Sequence, residues 1–269
     1  SCIIVPFFSP FESREQHLGE VNKGFMTVCT DSRYEGQHHV HYFGTDNLGR
    51  DLFLRAFEGG RVSLMIAFAA VFVNLIVGLI YGGISGYIGG AVDTIMMRIV
   101  EIVNGIPYLI VVILLMMVLP KGIFTMVVAY GITGWTGMAR LVRGQVLQLK
   151  SQEYIVAAEA MGAKSSRIIA KHLIPNALSV IIINVTLAIP SAIFTEAFLS
   201  YIGLGVPVPQ PSWGVLAKGG QDVFMTYPYQ LVVPAVAISL TMLSFNLLGD
   251  GLRLSLIHIS EPTRLALIS

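Results

Sequence analysis

Six stretches of this chain contain no Asp, Glu, Lys or Arg: residues 62–92, 102–120, 122–139, 172–195, 197–217 and 223–249. A helix rises about 1.5 Å per residue, so about 20 apolar residues cross the hydrocarbon core of a bilayer. Five of the stretches supply such a helix. The sixth contains GLGVPVPQPSWG, whose glycines and prolines break one. Charged residues make up 12% of the chain and hydrophobic ones 54%, whereas soluble domains carry about a quarter charged residues. The expected fold is all-α: a polytopic transmembrane helix bundle seated in a lipid bilayer.

The spans are placed at about 62–86, 95–119, 122–141, 173–198 and 230–249. Gly78, Gly82, Gly86 and Gly90 recur every four residues. That spacing lays a smooth strip along one helix face, where a second helix can approach closely. Arg98 and Glu101 can pair at the start of the second span, and Pro107 kinks it. Pro120-Lys121-Gly122 turns the chain back into the third.

Several function classes are excluded. A net charge of +1 implies no strong pull on nucleic acid. Neither HExxH nor GxSxG nor a Walker sequence occurs, and intramembrane carboxylate pairs are lacking, so the chain is expected to be no enzyme and to bind no cofactor. Cys2 and Cys29 form no CxxC pair and read as two unrelated thiols rather than a disulfide or metal site. His38, His39 and His41, in HHVHY, read as a solvated accidental cluster. Gly44 through Asp51 reads as a polar knot closed by an Asp–Arg tie over the first span. Glu196 is expected to be structural, solvated or bonded to backbone in the following GLG turn. Asn74 and Asn104 are expected to join helices.

Residues 140–171 hold Arg140, Arg143, Lys150, Lys164, Arg167 and Lys171 against Glu153 and Glu159, which marks the cytoplasmic side. Residues 9–61 and 199–229 then lie outside and the C-terminus inside.

The basic loop is unusual for a membrane protein. Ser151 is suited to cap a helix and Glu153 to occupy its first turn. Tyr154, Ala158 and Met161 share a face at helical spacing. Ala157 and Ala158 keep the helix slim, and Gly162 suits a left-handed end. Ser165 or Ser166 can cap a second, basic helix through Arg167 and Lys171, ending at Pro175. A slim helix of this kind docks in a partner's groove or lies on the membrane surface, and physical reasoning leaves both open.

Ala157-Ala158, Gly162 and Pro175 resemble the EAA loop of ABC importer permeases. The family pattern is Glu-Ala-Ala, three residues, Gly, nine residues, Ile, one residue, Leu-Pro, and this chain has Val156, His172 and Ile174 for the Glu, Ile and Leu. FGTDNLGRDLFLRA (43–56), SGYIGGAVDTIMMRIVEI (85–102), GWTGMARLVRGQVL (134–147), EYIVAAEAMGAKSSRIIAKHLIPN (153–176), TEAFLSYIGLGVPVPQPSWG (195–214) and FNLLGDGLR (245–253) resemble the second permease of oligopeptide and dipeptide importers. The likeness runs from about 41 to 253. It implies a type I importer permease in the cell membrane, five full spans present of an expected six. It implies half of a translocation pathway, completed by a homologous permease subunit. Two cytoplasmic ATPases would use ATP and dock on the loop 142–172 through Glu153, Tyr154, Ala157, Ala158, Met161, Gly162, Arg167 and Pro175. An extracytoplasmic peptide-binding protein would deliver substrate. Residues 1–8 would be the remnant of a first helix, 9–61 an extracytoplasmic segment and 62–253 the permease domain. The stretch 254–269 resembles adapter read-through and is expected to be a foreign tail. Rival readings are a nickel or other solute importer of the same subfamily, a membrane scaffold, and a channel.

The charge asymmetry predicts which side each loop faces. In sealed cells, Lys121→Cys and Lys218→Cys should react with an impermeant maleimide and Lys164→Cys should not. Labelling at 164 with the membrane intact overturns the orientation.

Overall fold

The computed structural model describes residues 2, 6, 12–13, 15–30 and 40–265. The expected remnant helix at 1–8, apart from residues 2 and 6, lies outside them, as do His38, His39 and residues 266–269. Two short strands, β1 (Thr27–Val28) and β2 (Val40–His41), pair antiparallel. The helices are α1 (Leu52–Ile88), α2 (Gly90–Asn104), α3 (Tyr108–Val118), α4 (Ile123–Thr133), α5 (Trp135–Lys150), α6 (Glu153–Ala160), α7 (Ser165–Ile168), a π-helical turn (Ile169–Leu173), α8 (Ile174–Tyr201), α9 (Trp213–Asp222) and α10 (Tyr229–Leu265).

Among the described residues, three helices are each long and apolar enough to cross a membrane: α1, Lys171–Tyr201 and Tyr229–Ser255. The second expected span is the pair α2 and α3, bent by 77° at the break before Pro107. Proline supplies no N–H and clashes with the preceding turn, so the kink expected there becomes a break. The third expected span is also divided. Gly134 separates α4 from α5, and a Cβ on it would lie 2.4 Å from Asn74 Nδ2. Helix α1 starts ten residues before the apolar stretch, because Asp51 Oδ1 accepts a hydrogen bond from Leu54 N at 2.7 Å and caps it. The last helix runs on through the expected foreign tail as far as Leu265.

The chain divides into two compact units, Ser1–Phe68, Met116–Met126 and Ser191–Leu243 in one, Ala69–Leu115, Val127–Pro190 and Ser244–Ser269 in the other. In the first, Trp213 is buried and donates from Nε1 to Ala56 O at 2.8 Å and from its backbone N–H to Ser63 Oγ at 3.2 Å. Glu196 is 0% exposed and its Oε1 accepts from Ser200 Oγ at 2.7 Å. A serine hydroxyl one helical turn on, rather than the GLG backbone, is the partner of this oxygen. The polar knot forms as expected, with Arg50 Nε donating to Asp46 Oδ2 at 2.7 Å.

His41 departs from the solvated reading. It is fully buried between Asp51, 2.7 Å from Nδ1, and Glu20, 3.1 Å from Nε2. Burial by itself would lower its pKa, but the hydrogen bonds and charges of Asp51 and then Glu20 outweigh it and raise it. Glu20 moves the other way. Burial pushes its carboxyl up, but Thr30, His41 and Cys29 hydrogen-bond it and bring it below the usual range.

In the second unit, α1 and α5 make close backbone contact. A Cβ at Gly78 would lie 2.6 Å from Met138 Cβ, at Gly82 2.2 Å from Ala139 O, and at Gly86 2.9 Å from Arg143 O. Gly90 stands apart from this strip. It has φ +58° and open space around it, and with Gly89 it turns the chain from α1 into α2. Asn104 Oδ1 accepts from Thr136 Oγ1 at 2.6 Å, joining α2 to α5.

Gly82→Ala drives a methyl against a backbone carbonyl that cannot rotate away. It should destabilise the protein by about 1–3 kcal/mol, the usual effect of overpacking. Gly83→Ala, in the same helix with nothing within 4 Å, should be neutral or stabilising. Thermal unfolding midpoints in detergent measure both, and equal midpoints for the two variants contradict the close approach.

Candidate functional site

The basic loop after α5 is built on a small apolar core. Val142 and Val146 of α5, Ile155 of α6, Ile168 of α7, Leu173 of the π turn and Ala177 and Ile181 of α8 form one buried cluster. Leu75, Leu79 and Tyr87 of α1 pack against it. Ile155 and Ile168 are each 0% exposed, so the two loop helices are keyed into the bundle by one residue apiece.

What α6 leaves open is its outer side. Met161 is 82% exposed and Tyr154 44%, and Glu153, Val156, Ala157 and Gly162 are also exposed. Ala158 is not on that open side. It is 7% exposed and turns inward beside Ile155, because seating Ile155 rotates α6 and carries position 158 partly under it. The structure thus separates Ala158 from Tyr154 and Met161. Arg167 and Pro175 are exposed beyond it, and the Tyr154 ring lies 6.3 Å from that of His172.

Both ends of α6 follow local rules, one of them unexpectedly. Ser151 does not cap it. The Ser151 hydroxyl donates back to Gln148 O at 2.9 Å and closes α5 instead. The backbone carbonyl of Gln152 receives the first N–H groups, from Ile155 and Val156. At the other end Gly162 has φ +77° and Ala163 N donates to Ala158 O at 3.1 Å, the six-to-one bond of a Schellman end. Open space surrounds Gly162, so the backbone angle and not crowding demands a glycine.

Charges tie the base of the loop to the neighbouring helices. Arg143 Nε lies 2.5 Å from Asp93 Oδ1 and Nη2 2.5 Å from Oδ2, a two-pronged pair, and Ser85 Oγ donates to the same Oδ1 at 2.5 Å. Asp93 sits in the first turn of α2, where the helix dipole favours an anion. Lys150 Nζ donates to Tyr87 O at 2.7 Å and lies over the Tyr87 ring. Sequence reasoning missed this tie. Its signal was one Asp at the edge of an uncharged run and an Arg 50 residues away. Arg98 and Glu101 pair at 2.6 Å as expected, but in the open.

A second candidate is a cavity of about 550 Å³ in the first unit, lined by charges of both signs, among them Asp46, Arg50, Arg55, Lys218 and Asp222.

Comparison with known proteins gives a consistent set. The family described as binding-protein-dependent transport system inner membrane component matches residues 75–256. The chain is similar to the oligopeptide transport system permease protein OppC of Bacillus subtilis, 55% identical over 213 residues, 79% of this chain and 70% of that one. It is also similar to the dipeptide transport system permease protein DppC of the same organism, 48% identical over 94% of this chain and 75% of that one. OppC of Escherichia coli is 49% identical over 79% of this chain and 70% of that one. Among solved structures, an inward-facing MetNI methionine ABC transporter superposes with a TM-score of 0.60 at 20% identity, covering 75% of this chain and 95% of that chain. An amino acid ABC transporter superposes with a TM-score of 0.55 at 19% identity, covering 73% and 91%. At these identities the likeness is one of fold.

The Arg143–Asp93 pair has a direct test. Asp93→Asn keeps the shape but removes charge-assisted bonds, which contribute about 1.5–3 kcal/mol each. It should lower the unfolding midpoint, and Asp93→Glu should restore part of it. Arg98→Gln, in the exposed pair, should leave it unchanged. Equal effects of Asp93→Asn and Arg98→Gln contradict a structural role for the Asp93 tie.

Proposed function

Since the chain belongs to the family of inner membrane components of binding-protein-dependent transport systems, we propose that it is a permease subunit of an ATP-driven importer of oligopeptides or dipeptides. One observation carries the substrate class, the 55% identity to OppC across 79% of the chain. The protein is a multi-pass membrane protein and not an enzyme, and proteins of its kind work with ATPase and binding-protein partners. In the reading proposed here the partners are a homologous permease subunit, two cytoplasmic ATPases and an extracytoplasmic peptide-binding protein. ATP is bound and hydrolysed by the ATPases alone.

The geometry of the loop supports a coupling role. Its exposed side offers Tyr154, Ala157 and Met161 with Glu153 and Arg167 at the flanks, an apolar patch with charged edges that suits a groove in another protein. Its buried side shares one core with α5 and α8. Close-packed interiors transmit displacement rather than absorb it. A partner pushing on α6 therefore moves Ile155, and through it α5 and α8, so that access to the pathway switches sides. Gly162 fixes the angle between α6 and the basic segment that follows, and Pro175 marks where the loop joins α8. Gly78, Gly82 and Gly86 keep α1 on α5 during that motion.

The experiment is uptake by vesicles containing the complete transporter with its binding protein. Gly162→Leu places a side chain at a left-handed angle that costs about 1 kcal/mol or more. It should insert normally, yet lose most peptide uptake and the stimulation of ATP hydrolysis by the binding protein. Full uptake with normal stimulated hydrolysis means that α6 is not the coupling element. Wild-type vesicles that accumulate labelled nickel and no labelled di- or tetrapeptide overturn the substrate class while leaving the coupling result readable.

A further inference from the structure

Far along the chain from the coupling loop, His17, Glu20 and Cys29 bring three metal-ligand side chains together near the start of the described chain, and His41 reaches the same Glu20 carboxylate. All four are buried, with exposures of 2%, 2%, 8% and 0%. The ligand atoms of His17, Glu20 and Cys29 lie within 4.8 Å of one another. Cys29 Sγ is 3.3 Å from Glu20 Oε2, and His41 Nε2 is 3.1 Å from the same oxygen. The two imidazole rings stand edge to face, with centroids 5.8 Å apart.

We propose that His17, Glu20, Cys29 and His41 bind one divalent transition ion of the zinc class. Bond lengths of about 2.0–2.3 Å in a tetrahedral site set neighbouring nitrogen, oxygen and sulfur donors about 3.3–3.6 Å apart. The observed separations to Glu20 Oε2, 3.3 Å and 3.1 Å, lie at and just below the lower end of that range. A mixed nitrogen, sulfur and oxygen set selects zinc-like ions, whereas magnesium and calcium prefer all-oxygen shells.

The atoms behind the ligands are arranged as such a site needs. Asp51 Oδ2 lies 2.7 Å from His41 Nδ1 and orients the ring so that Nε2 faces the cluster. That carboxylate is itself anchored, since its other oxygen caps α1 at Leu54 N. The Thr30 backbone N–H and hydroxyl both donate to Glu20 Oε1, while Oε2 faces Cys29 Sγ and His41 Nε2, the atoms with which it would share the ion. Carboxylate–imidazole pairs of this kind fix the ligating tautomer, and their loss typically weakens metal binding 10- to 100-fold.

The ion would also meet a structural need. Strands β1 and β2 pair over two residues each, too few to hold a segment in place by themselves. His17 and Glu20 precede β1, Cys29 follows it and His41 lies in β2, so one ion would staple all three stretches.

The test uses the full-length chain, copurified with its partner subunits in detergent and carrying no polyhistidine tag. Elemental analysis after gel filtration should find about one zinc-class ion bound to this chain, as for structural sites. Cobalt(II) exchanged into that site should show a thiolate-to-cobalt charge-transfer band in the near ultraviolet and intense visible bands of a tetrahedral ion. Cys29→Ser should abolish the charge-transfer band and Cys2→Ser should preserve it. Asp51→Asn should bind cobalt about 10- to 100-fold more weakly. Wild-type protein that neither retains an ion nor develops the band overturns the site, whatever the variants do. So does a band that survives Cys29→Ser, or displacement of cobalt by equimolar magnesium or calcium.

Discussion

Lipid tails are as apolar as the side chains that face them, so helices in a bilayer are not pressed together by water. They adhere only where their surfaces meet closely. In this protein that meeting is the seam of α1 on α5, where Gly82 leaves so little room that an added methyl would lie 2.2 Å from a backbone oxygen. The polar bonds of the same unit depend on this closeness. Tyr87 O is within reach of Lys150, and Ser85 and Asp93 are within reach of Arg143, because the helix backbones nearly touch. Helix α5 then presents Val142 and Val146 to the core that seats the loop.

The loop shows how one helix of eight residues serves two masters. A helix this short has no independent stability in water. It persists because Ile155 is buried and because Gly162 ends it with a defined turn. Those features also fix which side of it faces outward. Its apolar outer residues are suited to being covered by a partner.

Asp51 plays a comparable double part at the other end of α1. One oxygen starts the helix and the other holds His41. A single carboxylate thereby ties the start of α1 to a segment whose described residues carry little regular structure. Glu196, likewise buried, is held among serine hydroxyls, as a carboxyl within an apolar bundle must be unless it meets an opposite charge.

The sequence by itself determined which stretches are apolar enough to enter a membrane, that α6 would be slim, and that Gly162 would end it. Each of these follows from a local cause: exclusion of charge from lipid, side-chain size, or the backbone freedom of glycine. The resemblance in its motifs also pointed to the family. Tertiary structure alone decided the rest. A span that periodicity had made continuous is divided at Gly134, where Asn74 occupies the place a side chain would take. Ala158 faces inward, on the side of α6 that buries Ile155. Ser151 turns back to α5, and Gly90 leaves the strip whose spacing it shares. Asp93 meets Arg143, and His41 is enclosed by Glu20 and Asp51, across sequence distances at which neither local propensity nor periodicity carries information. Such partners are selected by which helices touch, and that is settled by the fit of whole surfaces.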